Sequence, residues 1–251
     1  MIKNNWSIKA QEIFKEILES GQFTDSSLRG GKYVQLFEKA LTDYLGKPTI
    51  VVNSGTSALI VSLWLAGVRA GDEVIIPAYS FQATKSAVLA LQAVPKYCDI
   101  KDDYTMKLDR RKITRKTKAI IIVDLYGNIC EYPLTHIPII EDACQALGTI
   151  HPDAICADFT CFSFYPTKIV NTMEGGAITV QHEEQADAIR KLRTYPDGLN
   201  FRMPEINATM GWLQMQDFKG GLPDNYFQPY SYTLSPPGLC PVADSKKRVK
   251  G

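Results

Sequence analysis

Hydrophobic residues follow two different spacings along this chain. Apolar positions three and four residues apart predict helices over 6–20 and 31–44, closed by Gly21 and Gly46. Short and almost continuously apolar runs then predict strands, at 49–53, 73–77, 94–98, 119–125, 137–141, 159–164 and 177–180. Amphipathic segments predict four further helices, at 56–66, 81–91, 183–195 and 204–218.

Strands this short and apolar, several of them separated by helices, are typical of a parallel sheet that is covered on both faces. The predicted fold class is therefore α/β, with a doubly wound and mostly parallel sheet. Residues 1–218, including the two N-terminal helices, form the predicted domain. Residues 219–251 are rich in glycine and proline and end in a basic segment, so we expect an irregular tail there.

The composition excludes several classes of protein. The 251 residues contain 28 Lys and Arg against 27 Asp and Glu, which gives no electrostatic reason to expect a nucleic acid or a membrane surface as a partner. The longest apolar stretch, 58–68, is shorter than the roughly 20 residues that a membrane-spanning helix needs. No apolar run that could serve as a secretory signal follows the N-terminus, so we expect a cytoplasmic protein.

The six cysteines and three histidines are dispersed without the spacing of metal ligands. We therefore expect no metal site, and we expect the cysteines to be buried free thiols.

Ligands of α/β proteins bind beyond the carboxyl ends of the strands, so the turns after the predicted strands are where candidate chemistry should lie. The first turn, 53–58, is small and hydroxylic and precedes a helix. Its N–H groups and hydroxyls could bind a phosphate, or Ser54 could be an ordinary helix cap. The residues alone leave both interpretations open.

Two later turns carry ionisable side chains. Glu141 and Asp142 end an apolar strand, where a carboxylate could orient a ligand nitrogen or could cap the next helix. Lys168 follows an aromatic strand and precedes Glu174-Gly-Gly. It could be a reactive amine or an exposed loop lysine.

Taken together, in this order and spacing, these segments resemble the DegT/DnrJ family of nucleotide-sugar aminotransferases. These are pyridoxal-phosphate enzymes of the aspartate-aminotransferase fold, fold type I. The resemblance runs from about residue 31 to residue 216. The matching motifs are Gly31-Lys-Tyr-Val-Gln-Leu-Phe-Glu, Ser54-Gly-Thr-Ser-Ala-Leu, Gly71-Asp-Glu-Val-Ile-Ile-Pro, Glu141-Asp-Ala-Cys-Gln-Ala, Cys161-Phe-Ser-Phe-Tyr-Pro-Thr-Lys, Glu174-Gly-Gly-Ala and Asn200-Phe-Arg-Met-Pro-Glu-Ile.

The resemblance implies a role for each matching site residue. Lys168 would bind the cofactor aldehyde covalently and move the proton during transfer, and Asp142 would pair with the ring nitrogen. Gln145 would lie against the ring oxygen, and Phe81 would stack on the ring face. The implied phosphate ligands are Gly55, Thr56, Ser57 and Ser163, with Asn200 reaching the phosphate from a second subunit, and the implied substrate contacts are Tyr165 and Arg202.

By the same resemblance the protein would be a homodimer with shared active sites. It would transfer an amino group from an amino acid, with L-glutamate the expected donor, to a keto sugar linked to a nucleotide. A dehydratase that uses the same cofactor is disfavoured, because such relatives replace the lysine that stands here at Lys168.

The chain also departs from the family pattern. Leu147 and Asp124 stand where many relatives carry histidine, which puts the substrate contacts in doubt. The C-terminal domain of the family is represented only by the tail after residue 218. This leaves two interpretations, a pared-down enzyme or an inactive relative that binds the cofactor or a nucleotide sugar without turnover.

A short-chain dehydrogenase is a remote alternative, because Ser163, Tyr165 and Lys168 superficially suggest its catalytic set. That fold needs a glycine-rich dinucleotide turn, and no G-x-G-x-x-G occurs in the sequence. In addition, Lys168 follows Tyr165 by three positions. In the dehydrogenases the interval is four positions, which places the tyrosine and the lysine on one face of a helix.

Overall fold

A single seven-stranded sheet forms the centre of the molecule. The structure, a computed structural model, describes residues 6–149, 155–194 and 198–221. The strands are β1 (Thr49–Val52), β2 (Glu73–Pro77), β3 (Val94–Cys98), β4 (Thr117–Val123), β5 (Ile139–Asp142), β6 (Phe159–Ser163) and β7 (Gly176–Val180). The helices are α1 (Trp6–Ser20), α2 (Lys32–Leu45), α3 (Gly55–Leu65), α4 (Gln82–Ala90), α5 (Glu183–Arg193) and α6 (Glu205–Met215).

The strands lie in the order β1-β7-β6-β5-β4-β2-β3. Strand β7 is antiparallel to both of its neighbours, and the other neighbouring strands are parallel. Strands β1 to β6 therefore all run in the same direction, and their carboxyl ends meet at one edge of the sheet. The predicted doubly wound and mostly parallel α/β sheet is confirmed.

Helices cover both faces of the sheet. Alternate residues of β1 show how the faces divide: Ile50 and Val52 pack with α3, α4 and α5, whereas Val51 packs with α1, α2 and α6. All strands except the edge strand β3 are largely buried on both faces, which explains why they read as continuous apolar runs and not as alternating ones.

Helix α5 is fastened to the rest of the domain by a buried ion pair. The guanidinium of Arg193, which is 2% exposed, donates to the carboxylate of Glu38 on α2 and to the backbone oxygens of Val51 (2.7 Å) and Leu28 (3.1 Å). Burial raises the pKa of Glu38, and the charge of Arg193 opposes that rise.

We expect Arg193→Ala to destabilise the fold by about 3–5 kcal/mol, because it leaves the Glu38 carboxyl buried without its partner. Lys39→Ala, which removes half of an exposed pair with Asp43, should cost less than about 1 kcal/mol. Chemical denaturation of the two variants checks this difference. Equal losses would show that the buried pair does not hold α5 in place.

The cysteines only partly follow the prediction. Cys98, Cys130 and Cys161 are buried free thiols, but Cys156 is exposed and Cys144 is partly exposed, so the prediction was wrong for these two. Cys240 and most of the predicted tail, residues 222–251, lie outside the described residues. Among the residues that the structure describes, no helix combines the length and the apolar character needed to cross a bilayer.

Candidate active site

A cavity of about 490 Å³ opens at the sheet edge where the carboxyl ends of the parallel strands meet. Five turns line it, those that follow β1, β2, β4, β5 and β6, together with the segment before β7. Its residues are Ser54, Gly55, Thr56, Phe81, Ala83, Val123, Leu125, Tyr126, Asp142, Cys144, Gln145, Ser163, Tyr165, Thr167, Lys168 and Glu174. The topology thus brings together turns that are far apart in the sequence.

The turn after β1 forms one end of the cavity. Ser54 is the N-cap of α3, and its hydroxyl accepts a hydrogen bond from the backbone N–H of Ser57 (3.1 Å). Gly55 and Thr56 occupy the first turn of α3, where N–H groups have no partner within the helix and the helix dipole is positive. Ser54 is therefore the helix cap, and the anion-binding interpretation stays a prediction that is compatible with it, because the free end of this helix faces the cavity.

Glycine is required at two positions beside the N-terminus of α3, Gly55 and Gly176, which together form the glycine wall. A Cβ at Gly55 would lie 2.8 Å from the Cβ of Ser163 and 3.0 Å from the Sγ of Cys144. A Cβ at Gly176 on β7 would lie 2.4 Å from the backbone oxygen of Ser54. The absence of side chains at these two positions lets the strand ends approach the helix and leaves a small concave wall beside the helix N-terminus.

Asp142 ends β5 at the cavity and is 5% exposed. One of its oxygens accepts a hydrogen bond from the hydroxyl of Thr84 on α4 (2.8 Å), and the other lies 3.4 Å from the backbone nitrogen of Cys144. Turn residues follow β5 where the capping interpretation requires a helix, so Asp142 does not cap one. Sequence reasoning missed Thr84, which fixes the direction of this carboxylate.

Lys168 lies in the turn after β6, where its backbone N–H donates to the oxygen of Tyr165 (2.8 Å). Its side chain is half-buried and lines the same cavity as Asp142. Burial lowers the pKa of the Lys168 ammonium, while the neighbouring side chains of Cys144 and Asp142 act in the opposite direction. A lowered pKa increases the fraction of the neutral amine, which is the nucleophilic form. The interpretation of Lys168 as an exposed loop lysine is wrong.

Two side chains frame the space between Asp142 and Lys168. Phe81, the N-cap residue of α4, lines the cavity and is 46% exposed, so a ring can stack against it. Gln145 also lines the cavity, and its Oε1 accepts a hydrogen bond from the backbone N–H of Tyr126 (2.8 Å). Tyr126 has a φ of +60°, a strained conformation for a tyrosine, and no sequence signal marked it.

Three of the predicted site residues do not line the cavity of this chain. The hydroxyl of Ser57 donates to the side-chain oxygen of Asn53 (2.6 Å), so it supports the turn from behind. Asn200 is exposed, and Arg202 donates to the hydroxyl of Thr194 (3.2 Å). Their predicted roles toward a cofactor or a substrate stay predictions.

The residues of the cavity fit pyridoxal phosphate. The glycine wall and the free end of α3 suit a phosphate, Phe81 suits a flat ring, and Asp142 suits a protonated ring nitrogen. Lys168 supplies the amine that the cofactor aldehyde requires.

Comparison with known proteins identifies the family. The sequence model of the DegT/DnrJ/EryC1/StrS aminotransferase family matches residues 7–224, so the chain belongs to this family. The resemblance expected from the sequence motifs is confirmed.

Individual relatives cover most of this chain. GDP-perosamine synthase of Caulobacter vibrioides is 36% identical in an alignment of 212 residues, and the match covers 74% of this chain and 57% of the relative. The 3-oxo-glucose-6-phosphate:glutamate aminotransferase of Bacillus subtilis is 35% identical in an alignment of 236 residues, and the match covers 81% of this chain and 52% of the relative. The chain therefore spans about half the length of the curated relatives it matches.

Among solved structures, NtdA from Bacillus subtilis with the bound cofactor PMP superposes with a TM-score of 0.74 at 32% identity. The match covers 86% of this chain and 54% of NtdA. The chain thus has the fold of the large domain of fold type I aminotransferases, as expected.

Proposed function

We propose that this protein is a pyridoxal-phosphate-dependent aminotransferase that moves an amino group from L-glutamate to a keto sugar linked to a nucleotide. The observation that carries the proposal is the placement of Lys168 and Asp142 in one cavity, beside the glycine wall at the N-terminus of α3. An amine, a carboxylate and an anion-binding helix end are the three protein groups that this cofactor needs.

Each residue has a distinct task in this proposal. When bound, pyridoxal phosphate supplies an aromatic ring that accepts the negative charge left when a C–H proton departs. The carboxylate of Asp142, directed by Thr84, favours a proton on the ring nitrogen. The Nζ of Lys168 would hold the cofactor aldehyde and, as a free amine, would move the proton between the substrate carbon and the cofactor carbon.

The names of the relatives support two kinds of acceptor. One relative is named for a GDP-linked sugar, and the other is named for a sugar phosphate and for glutamate. We favour a nucleotide-linked acceptor because the motifs of this chain resemble the nucleotide-sugar aminotransferases.

The test is incubation of the purified protein with pyridoxal phosphate, glutamate and a panel of nucleotide-linked keto sugars and keto sugar phosphates, with product mass as the readout. Lys168→Ala is the matched control. An amino sugar formed only from a nucleotide-linked acceptor supports the proposal. Product only from a sugar phosphate would overturn the acceptor, and cofactor binding without any product would favour the inactive relative.

Thr84→Val is expected to lower kcat/KM about 10–100-fold, because it removes a buried hydrogen bond to a charged carboxylate, worth about 1.5–3 kcal/mol. Thr84→Ser keeps the hydroxyl and should restore most of the activity. Steady-state kinetics of both variants, together with a pH titration of the absorbance of the bound cofactor, check this. Equal activity of the Val and Ser variants would show that the hydroxyl does not direct Asp142.

We also propose that each active site is built from two chains, with Asn200 reaching the phosphate in the other subunit. Asn200 is exposed and adjoins Phe201, whose backbone oxygen accepts a hydrogen bond from Asn53 N–H next to the glycine wall (2.9 Å). The segment is therefore anchored close to its own site, while Asn200 is exposed and does not line the cavity of its own chain.

Complementation tests the shared site. Lys168→Ala and Asn200→Asp should each be inactive alone, the second because it sets a negative charge against the phosphate. After joint unfolding and refolding, half of the dimers are mixed, and one of their two sites is free of both lesions. Activity should then return to about a quarter of the unmutated level. No recovery would place both residues in the same site of one chain.

A further inference from the structure

Two carboxyl groups lie completely buried behind the cavity, and the proposed chemistry does not use them. Asp124 directly follows β4, and Glu141 lies on β5 just before Asp142; both are 0% exposed. The two strands are paired so that Val123 lies opposite Asp142, and the backbone N–H of Asp124 donates to the oxygen of Asp142 (3.1 Å). The pair is therefore built into the same strand ends that carry the cavity.

Three of the four carboxyl oxygens have a donor. The Oδ1 of Asp124 accepts from the backbone N–H of Cys130 (2.8 Å). The Oε1 of Glu141 accepts from the hydroxyl of Tyr132 (2.6 Å), and its Oε2 accepts from the hydroxyl of Thr160 (2.8 Å). The fourth oxygen, Oδ2 of Asp124, is buried without a donor among the described residues. A proton on this oxygen would remove the deficit, because Asp124 would then donate to Glu141.

The surroundings favour such a proton. Burial is the main reason why the pKa of Asp124 rises to about 9, and the acidic groups of Glu141 and Asp142 on β5 add to the rise. Burial likewise raises the pKa of Glu141. In the loop after β4, burial raises the pKa of Cys130 to about 11 and also raises the pKa of Tyr132. The charge of Lys101 acts weakly on the pKa of Cys130 in the opposite direction. Among the described residues, the groups that act most strongly on this pair include no cation, so two carboxylates buried side by side would lack a compensating charge.

We propose that Asp124 and Glu141 share one proton, held on Asp124 Oδ2, and that this pair positions the wall of the cavity. The Oδ1 of Asp124 closes the turn that carries Leu125 and Tyr126, both of which line the cavity. The Oδ2 of Asp124 joins that turn to β5, which carries Asp142. The pair then places one negative charge, and not two, beside Asp142. Only the role of Asp142 toward the cofactor rests on the proposed function.

The first test locates the proton. The infrared spectrum of the wild-type protein at pH 7 should contain the carbonyl stretch of a buried, protonated carboxylic acid that shifts in D₂O. Asp124→Asn should abolish this band and keep the fold, because its amide accepts from Cys130 and donates to Glu141 as the protonated acid does. Glu141→Gln should be less stable, since its amide N–H₂ replaces one of the two oxygens that accept from the hydroxyls of Tyr132 and Thr160. A wild-type spectrum without the band, or a band that persists in Asp124→Asn, overturns the proposal.

The second test counts the proton. An acid whose pKa is raised in the folded state stays protonated there while the unfolded chain ionises, so unfolding releases a proton and stability falls as the pH rises. Between about pH 5 and 8, the unfolding equilibrium constant of the wild type should increase with pH more steeply than that of Asp124→Asn. The difference should be up to about a factor of ten for each pH unit. Asp102→Asn, at an exposed acid, should keep the wild-type dependence. Identical slopes for wild type and Asp124→Asn contradict the shared proton.

The third test addresses the positioning role. Asp124→Ala should weaken pyridoxal phosphate binding about tenfold or more, since it leaves the N–H of Cys130 without its acceptor and frees the turn. Asp124→Asn should restore the affinity to within about twofold. Equal weakening by Ala and Asn would overturn the positioning role. A wild-type protein that binds no pyridoxal phosphate would refute the proposed function, whereas the infrared and unfolding tests would still decide the proton.

Discussion

Lys168→Ala is expected to abolish aminotransfer, with a loss of at least about 10⁴-fold, because it removes both the covalent anchor of the cofactor and the base that moves the proton. The glycine wall and Asp142 remain, so the variant should still bind pyridoxal phosphate reversibly and lose it on dialysis. The measurements are turnover and the absorbance of the protein-bound cofactor.

Lys118→Ala, at the one exposed position of β4, near its start, is the matched control and should keep both the turnover and the bound cofactor. Substantial turnover of Lys168→Ala would show that another amine serves the site.

Asp142→Asn is expected to reduce turnover on the order of 10³-fold while leaving the protein folded. The amide can still accept the hydrogen bond from Thr84, so the geometry is kept and only the charge is lost. Without the carboxylate the ring nitrogen is no longer held protonated, and the ring accepts negative charge poorly. Turnover and the covalent attachment of the cofactor to Lys168 are measured separately, and we expect only the first to fall.

Asp158→Asn is a suitable control, because this exposed acid also contacts β5, by accepting a hydrogen bond from the N–H of Ile139 (2.8 Å). It should retain nearly full turnover. Near-normal turnover of Asp142→Asn would mean that Asp142 only supports the turn after β5.

The sequence predicted the sheet well because its strands, apart from the partly exposed β3, are largely buried on both faces and read as apolar runs. The bounds of β2 and β3 agree with the prediction, and the other strands shift by no more than two residues. The opposite direction of β7 could not be read from the pattern, because a buried antiparallel strand is as apolar as a buried parallel one. The placement of Asp142 and Lys168 followed from a general rule, that parallel strand ends meet at one edge.

The supporting contacts could not be predicted, because they join residues that are distant in the sequence. Thr84 lies 58 residues before Asp142, and Arg193 lies 155 residues after Glu38. A buried threonine within an apolar helix face carries no signal of its partner. Asp124 stood out as a departure from the family, yet only the structure shows that it is fully buried beside Glu141.

The central claim is that Lys168 carries the cofactor. Borohydride reduction of the protein with pyridoxal phosphate, followed by proteolysis and mass spectrometry, tests this claim most directly, because reduction fixes the cofactor to the lysine that holds it. We expect a single pyridoxyl adduct, on the peptide that contains Lys168, and no adduct in Lys168→Ala. An adduct on a different lysine, or the same adduct pattern in Lys168→Ala, would contradict the account.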